Sequence, residues 1–208
     1  MKIDDFNDKT LSVVNPGYNE GDVLPECHRR LSTVLSNLIC GAEMVYVNDG
    51  KTDPALRIIN GFRWRDDRVA LVDLNRNFGI ETEMTAGLDH AKGDAVVVAD
   101  LKDPPELIPD LLTQYYDNYD VVYAQRTSRP GEGALKKMTD CMFYRLIQTA
   151  TRVGIPDNTG DFRLLSRRAL EALKKHRDQD HFMKGLYAWI GFPQKAFPFP
   201  EIHAKRVD

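Results

Sequence analysis

Ala95-Val96-Val97-Val98-Ala99-Asp100-Leu101-Lys102-Asp103-Pro104-Pro105-Glu106 is the stretch whose reading decides the fold. Five small apolar residues read as a short buried strand, and carboxylates follow at once where that strand would end. In an open α/β sheet the ligand lies in the crevice beyond the carboxyl ends of the strands. Asp100 therefore stands where a metal ion or a sugar nucleotide would be held. Asp103 reads differently. Asp followed by Pro, Pro and Glu is helix-start chemistry, so the sequence predicts that Asp103 caps the helix behind it.

Outward from this stretch the same strand, polar turn and helix recur. Leu11 to Val14 ends at Asn15-Pro16-Gly17, Met44 to Val47 at Asn48-Asp49-Gly50, Val69 to Leu74 at Asn75-Arg76-Asn77, and Asp120 to Ala124 at Gln125-Arg126. Between these runs, Leu24 to Leu38, Pro54 to Trp64, Glu81 to Ala91 and Leu107 to Tyr116 carry apolar residues at helical spacing. Strands alternating with helices predict an α/β fold: a doubly wound, mostly parallel sheet with helices on both faces. Beyond Arg126 the pattern changes. Ser128 to Gly133 is a Pro/Gly-bearing loop and Leu135 to Val153 reads as a long amphipathic helix. Asn158 to Arg163 is a polar segment leading to an apolar pair and a helix, Ser166 to Lys175, with Ser166 as N-cap. A further helix, Asp180 to Ile190, sets Phe182, Leu186, Trp189 and Ile190 on one side.

The chain has 208 residues, enough for one sizeable core, and its 42% hydrophobic and 28% charged content is that of a soluble globular protein. A formal charge of -3 gives no global attraction for nucleic acid, so an anionic ligand requires a local basic site. Cys27, Cys40 and Cys141 are odd in number and widely spaced, which fits a reducing compartment better than a disulfide or zinc scaffold. Met1 to Lys9 lacks the apolar core of a signal peptide, and no apolar run is long enough to cross a bilayer. The first turn, Asn15-Pro16-Gly17-Tyr18-Asn19, is not the Gly-rich loop of a dinucleotide-binding fold. His28, His90, His176, His181 and His203 show no metal-ligand spacing.

Six short motifs stand in order along the chain: Pro16-Gly17-Tyr18-Asn19-Glu20, Asn48-Asp49-Gly50, Arg76-Asn77-Phe78-Gly79, Asp100 to Glu106, Gly160-Asp161-Phe162-Arg163 and Phe182-Met183-Lys184-Gly185. Each alone is weak, but in register they resemble the family 2 glycosyltransferases. Within that family the chain is similar to the polyprenyl-phosphate sugar transferases, the dolichol-phosphate mannosyltransferase and bactoprenol glucosyltransferase group. The resemblance runs from about Leu11 to Phe192. It implies a GT-A fold and transfer of a sugar, with inversion, from a nucleoside diphosphate, UDP-glucose or a similar UDP-sugar, to a polyprenyl phosphate. It also implies work at the cytoplasmic face of a membrane. In this group membrane helices usually follow the catalytic domain, and Asp208 lies about where the linker to them would begin, which suggests a shortened chain. The expected organisation is one GT-A-like domain, with a nucleotide-sugar half over about 10–126 and an acceptor half over about 127–200. A homo-oligomer stays open.

Residue by residue, the resemblance assigns Pro16, Tyr18, Asn19, Glu20, Asp49, Arg76, Asp100 and Arg126 to the nucleotide sugar. Tyr18 offers a ring to stack on the base, and Asp49 an acceptor for base or ribose. Asp49 is also an ordinary Asp-Gly turn residue. Arg76 and Arg126 each follow a strand, so both guanidinium groups can point at the rim where a diphosphate would lie. Lys102, Lys136 and Arg163 are candidates for donor or acceptor phosphate, although Lys136 beside Lys137 equally suits a solvated helix face. Asp161 is the candidate catalytic residue, the family's usual general base. A phosphate acceptor is already largely ionised at neutral pH, so Asp161 chiefly orients it.

The chain also departs from the pattern. Relatives carry Asp-X-Asp with a Gln two positions on, and these hold a divalent ion, Mg or Mn. Here those positions are Val98, Asp100 and Lys102, which leaves Asp100 as the metal ligand, and the ammonium of Lys102 offers partial substitution for the ion. Ile80 replaces a Lys, and Gly17 a bulkier residue. Two functional readings follow: an active sugar transferase, or a degenerate relative that binds nucleotide sugar or a protein partner without turnover.

Overall fold

The computed structural model describes residues 7–17, 21–48, 54–127, 159–176, 186–187 and 190–200. The apolar runs form strands β1 (Thr10–Gly17), β2 (Gly41–Asn48), β3 (Val69–Asp73), β4 (Ala95–Val98) and β5 (Val121–Thr127). Helices α1 (Leu24–Ser36), α2 (Pro54–Arg63), α3 (Ile80–His90) and α4 (Ile108–Tyr116) fall where helical spacing placed them. A 3₁₀ turn, Pro105–Leu107, leads into α4. After the fifth strand come β6 (Thr159–Ser166), α5 (Arg167–His176) and β7 (Gln194–Pro200).

The described strands form one seven-stranded sheet in the order β3-β2-β1-β4-β6-β5-β7. Pairs β1–β2, β1–β4, β2–β3 and β5–β7 are parallel, and β6 runs antiparallel between β4 and β5. The five-unit reading thus held for its strands but missed two others. β6 carries Gly160, Asp161 and Arg163 among its apolar residues, and β7 ends in Pro198-Phe199-Pro200, so neither shows a clean strand pattern.

Alternation along the strands divides the core in two. Val13, Met44, Tyr46 and Val97 face α1, α2 and α4, whereas Val14, Val45, Val47, Val96 and Val98 face α3 and α5. α1 buries Leu24, Cys27, Leu31 and Leu35, successive turns of one stripe. Burial of each Leu contributes about 1.5–3 kcal/mol. α3 approaches the sheet more closely: a methyl group on Gly87 would meet Val14 and Val47 well inside 3.0 Å. Ser166 caps α5 as expected, its Oγ accepting the Ala169 N–H at 3.1 Å while donating to Asp120 Oδ1 at 2.6 Å. Leu186 and Tyr187 are buried in the α3–α5 core, so these two residues of the expected Asp180 to Ile190 helix serve packing.

Candidate active site

The chain moves outward from β1 through β2 to β3, then returns to place β4 on the other side of β1. That reversal is the switch point at which doubly wound sheets hold ligands. Pro16 marks it. Thr10 and Val14 accept hydrogen bonds on the β4 side, from Asp94 N at 2.7 Å and Ala99 N at 3.0 Å. Pro16 has the same parity, so the amide hydrogen it lacks would have faced β4. The β1–β4 ladder ends at Val14↔Val98, so none is missed and the two strands part into a crevice. Pro16 itself is buried and opposite Val47.

On the far wall, β4 turns over Asp100 to Asp103. Asp103 N donates to Asp100 O at 2.9 Å, Asp100 N to Asp103 Oδ2 at 2.9 Å, and Lys102 N to Asp100 Oδ1 at 3.1 Å. The outer oxygen of Asp103, Oδ1, takes Arg126 Nη2 from the end of β5 at 3.2 Å. The expectation that Asp103 caps a helix is corrected: Pro104 occupies the N-cap and makes no side-chain bond to the following turn. The carboxylate instead points inward, 6% exposed, and binds the reversed chain to a strand two positions away in the sheet. Burial pushes its pKa up to about 6, against the lowering pull of the Asp100 N–H and Arg126. Fixed in this way, Asp100 and Lys102 are exposed at the crevice.

β6 supplies the neighbouring wall. Its register with β4 runs from Ala95↔Ser166 to Val98↔Arg163, so Asp161 and Asp100 each lie two residues beyond the last pair, on adjacent chains. Asp161 is half-buried, with Oδ1 out of solvent. Arg163 shares its face of the strand but is only 4% exposed. Its Nη2 donates to Gly160 O at 2.8 Å and its guanidinium lies 3.8 Å from the centroid of the Tyr187 ring. Burial pulls the Arg163 pKa down, and the neighbouring Tyr187, Asp161, Tyr123 and Glu81 oppose this. Burial likewise pushes the Tyr187 hydroxyl above the usual phenol range, so it stays neutral. Arg163 was expected to meet phosphate; the structure places its guanidinium under an aromatic ring instead of at the open rim.

Pro16, Asp100, Lys102, Arg126 and Asp161 therefore gather around neighbouring strand ends. Arg76 does not join them closely. It is exposed in the loop after β3, 4.6 Å over the Phe78 ring, and β3 lies five strand positions from β5. At about 4.8 Å per strand this is about 24 Å, so Arg76 and Arg126 attend different parts of the rim. Tyr18, Asn19, Glu20, Asp49 and Lys136 lie outside the described residues, as does Leu135 to Val153. Sequence reasoning missed the Asp103–Arg126 tie and Tyr187; neither has a local signal, because each partner is brought by a distant element.

Among the described residues no group of three His, Cys, Asp or Glu side chains could hold a metal ion. Val98, where the resemblance leads one to expect an Asp, is fully buried. One crevice carboxylate, Asp100, fits the type of site in which a hard divalent ion is shared between a protein oxygen and substrate phosphates. No helix among the described residues is long and apolar enough to cross a membrane.

The chain is 43% identical over 190 residues to the uncharacterized glycosyltransferase YkcC of Bacillus subtilis, covering 90% of this chain and 59% of that protein. It is 38% identical over 183 residues to the bactoprenol glucosyl transferase of Shigella phage SfV, covering 87% and 60%. It thus spans about three-fifths of the length of the curated relatives it matches. Among solved structures, mannosyltransferase PcManGT from Pyrobaculum calidifontis, in complex with GDP-Man and Mn2+, has a TM-score of 0.63 at 19% identity, covering 96% of this chain and 59% of that one. The fold is thus that of GT-A glycosyltransferases. The model of glycosyl transferase family 2 matches residues 12–174, and the chain belongs to that family.

Proposed function

We propose that this chain is the catalytic part of an inverting glycosyltransferase that moves a hexose, glucose from UDP-glucose in the first instance, to a polyprenyl phosphate at the cytoplasmic face of a membrane. The observation that carries the reading is that Asp100 and Asp161 each follow the last β4–β6 pair by two residues, where the two chains finish beside the β1–β4 crevice. The name and 38% identity of the bactoprenol glucosyl transferase support the acceptor class and the sugar.

In this reading residues 10–126 bind the donor, with Pro16, Tyr18, Asn19, Glu20 and Asp49 around the nucleoside and Arg76 at the outer rim. Residues 127–200 serve the acceptor, with Lys136 near its phosphate. Asp100 would hold a divalent ion, Mg or Mn, and Lys102 and Arg126 add positive charge at the same strand ends. Such an ion, when bound, stabilises the charge that builds on the departing diphosphate. An acceptor phosphate oxygen forms the new bond to the anomeric carbon as the bond to the diphosphate breaks, and the electron pair leaves with the nucleoside diphosphate. Because that phosphate is already ionised, Asp161 orients it for attack from the opposite face.

Incubation of the protein with labelled UDP-glucose, undecaprenyl phosphate in detergent and Mn2+ tests this: a labelled lipid product is expected, and it is lost in Asp161→Asn. A second reading, binding without turnover, is favoured by the buried Val98 in place of a carboxylate. Saturable binding of UDP-glucose with no lipid product would replace the first reading by the second.

A further inference from the structure

We propose that Arg163 and Tyr187 are a buried positioning pair that fixes the Gly160–Asp161 peptide and so holds Asp161 at its station in the crevice. This rests on the reading of Asp161 as the acceptor-orienting carboxylate.

The backbone at Asp161 has little support from its own sheet. On one side the β4–β6 ladder ends at Val98↔Arg163. On the other, β5 and β6 pair at Tyr123↔Arg163 and next at Gln125↔Thr159, so four residue steps on β6 answer two on β5. Asp161 thus lies in a bulge beyond the last regular pair, where the local path of a strand is under-determined by its ladder. Gly160, which precedes it, adds no side chain to restrict that path.

Arg163 supplies the missing constraint. Its Nη2 donates at 2.8 Å to the carbonyl of Gly160, the oxygen of the peptide that leads directly into Asp161. Tyr187 then holds the guanidinium: the ring lies 3.8 Å from Arg163 Cζ, the hydroxyl reaches Met84 Sδ of α3 at 3.9 Å, and the carbonyl accepts Gln194 Nε2 at 2.6 Å. One residue therefore connects α3 and the β6 bulge through its side chain and the start of β7 through its main-chain carbonyl.

The chemistry of the pair is costly for packing alone. A guanidinium at 4% exposure is strongly desolvated, and its Nε has no hydrogen-bond partner among the described residues. The adjacent inward positions of the sheet, Val98 and Leu165, are met by aliphatic side chains at no such penalty. An aliphatic residue at 163 would fill the same space without reaching the Gly160 carbonyl.

Steady-state transfer from UDP-glucose to undecaprenyl phosphate, together with thermal unfolding and amide hydrogen exchange, tests the pair in Arg163→Met, Arg163→Lys, Tyr187→Leu and Asp161→Asn. Arg163→Met is expected to lower kcat about 10–100-fold with the donor KM within about twofold, as misplacement of an orienting group does. Exchange should quicken at Gly160 and Asp161 and not at Leu164 or Leu165. Arg163→Lys, which keeps the charge without the fork, should fall between, as should Tyr187→Leu. Should Arg163→Met fail to fold, Arg163→Lys and Tyr187→Leu carry the same comparison. Folded Arg163 variants with wild-type kcat, beside an inactive Asp161→Asn, would overturn the positioning pair alone. Full activity of Asp161→Asn would instead overturn the reading of Asp161 on which the pair depends.

Discussion

The two ends of the sheet use the same side chains to different effect. Where β1, β4 and β5 begin, carboxylates are committed to the chain: Asp94 accepts Thr10 N at 2.8 Å, Glu43 accepts Ser12 Oγ at 2.6 Å and Lys92 N at 3.1 Å, and Asp120 holds Ser166 and the Arg168 guanidinium. Arg167 adds bonds to the carbonyls of Ala91 and Gly93. Where the same strands finish, Asp103 alone of the crevice carboxylates is buried, and it braces Asp100 towards the opening. The starting ends thus commit their carboxylates to the chain, whereas at the finishing ends Asp103 is committed and Asp100 is left exposed. The strand ends that converge on a switch point leave the side chains a ligand can use.

Substitutions at the two ends should separate along that line. The largest effect is expected for Asp161→Asn: sugar transfer should fall about 10²-fold or more while the unfolding midpoint holds, as for loss of a group that orients the acceptor. Asp120→Ala should do the reverse. It strips a buried carboxylate from Ser166 and Arg168 and should lower stability by about 2–4 kcal/mol in urea unfolding, with turnover per folded molecule retained. Equal loss of turnover in both would erase the distinction between the ends.

The brace at Asp103 sharpens it through pH. Its carboxyl is held up to about 6 by burial, above the ordinary value of about 3.9, so the native state binds the proton more tightly than the unfolded chain. That contribution to stability is complete below about pH 3.9 and is lost as pH rises through about 6, about 2–3 kcal/mol in all. In chelator-containing buffer the stability difference between wild type and Asp103→Asn should change in this window; a constant difference from pH 4 to pH 7.5 would refute the assignment. The smallest contrast concerns two glycines. A methyl group on Gly93 would meet backbone atoms, Ser12 N and Thr10 O, at 2.6 Å, whereas on Gly87 it would meet side chains of Val14 and Val47. Gly93→Ala should cost about 1–2 kcal/mol more than Gly87→Ala, because a backbone cannot move aside as a side chain does.

Much of this arrangement is legible in sequence because the first five strands are short apolar runs cut off by polar turns. Asp100 could be placed at a strand end from its neighbours alone. β6 could not be read, since it sets a buried Arg and a half-buried Asp inside a strand, breaking the apolar pattern that strand recognition needs. β7 is an edge strand and tolerates Pro198 and Pro200, which argue against a strand anywhere else. Asp103 was misread for a related reason. Asp-Pro-Pro-Glu satisfies every local rule for a cap, but the carboxylate is taken instead by the Asp100 N–H and by Arg126, 23 residues away. Asp161 was found through motif resemblance, while the ring that secures its neighbour, Tyr187, came from a helix whose spacing spoke only of packing.

Pro16 has a consequence for how the crevice stays open. Strands that lie side by side tend to zip, each new pair aligning the next. At the residue where β1 and β4 would continue, the hydrogen needed for the next tooth is replaced by a ring carbon. The ring bond to the Pro16 nitrogen thus denies the two strands their next hydrogen bond at the point where they part.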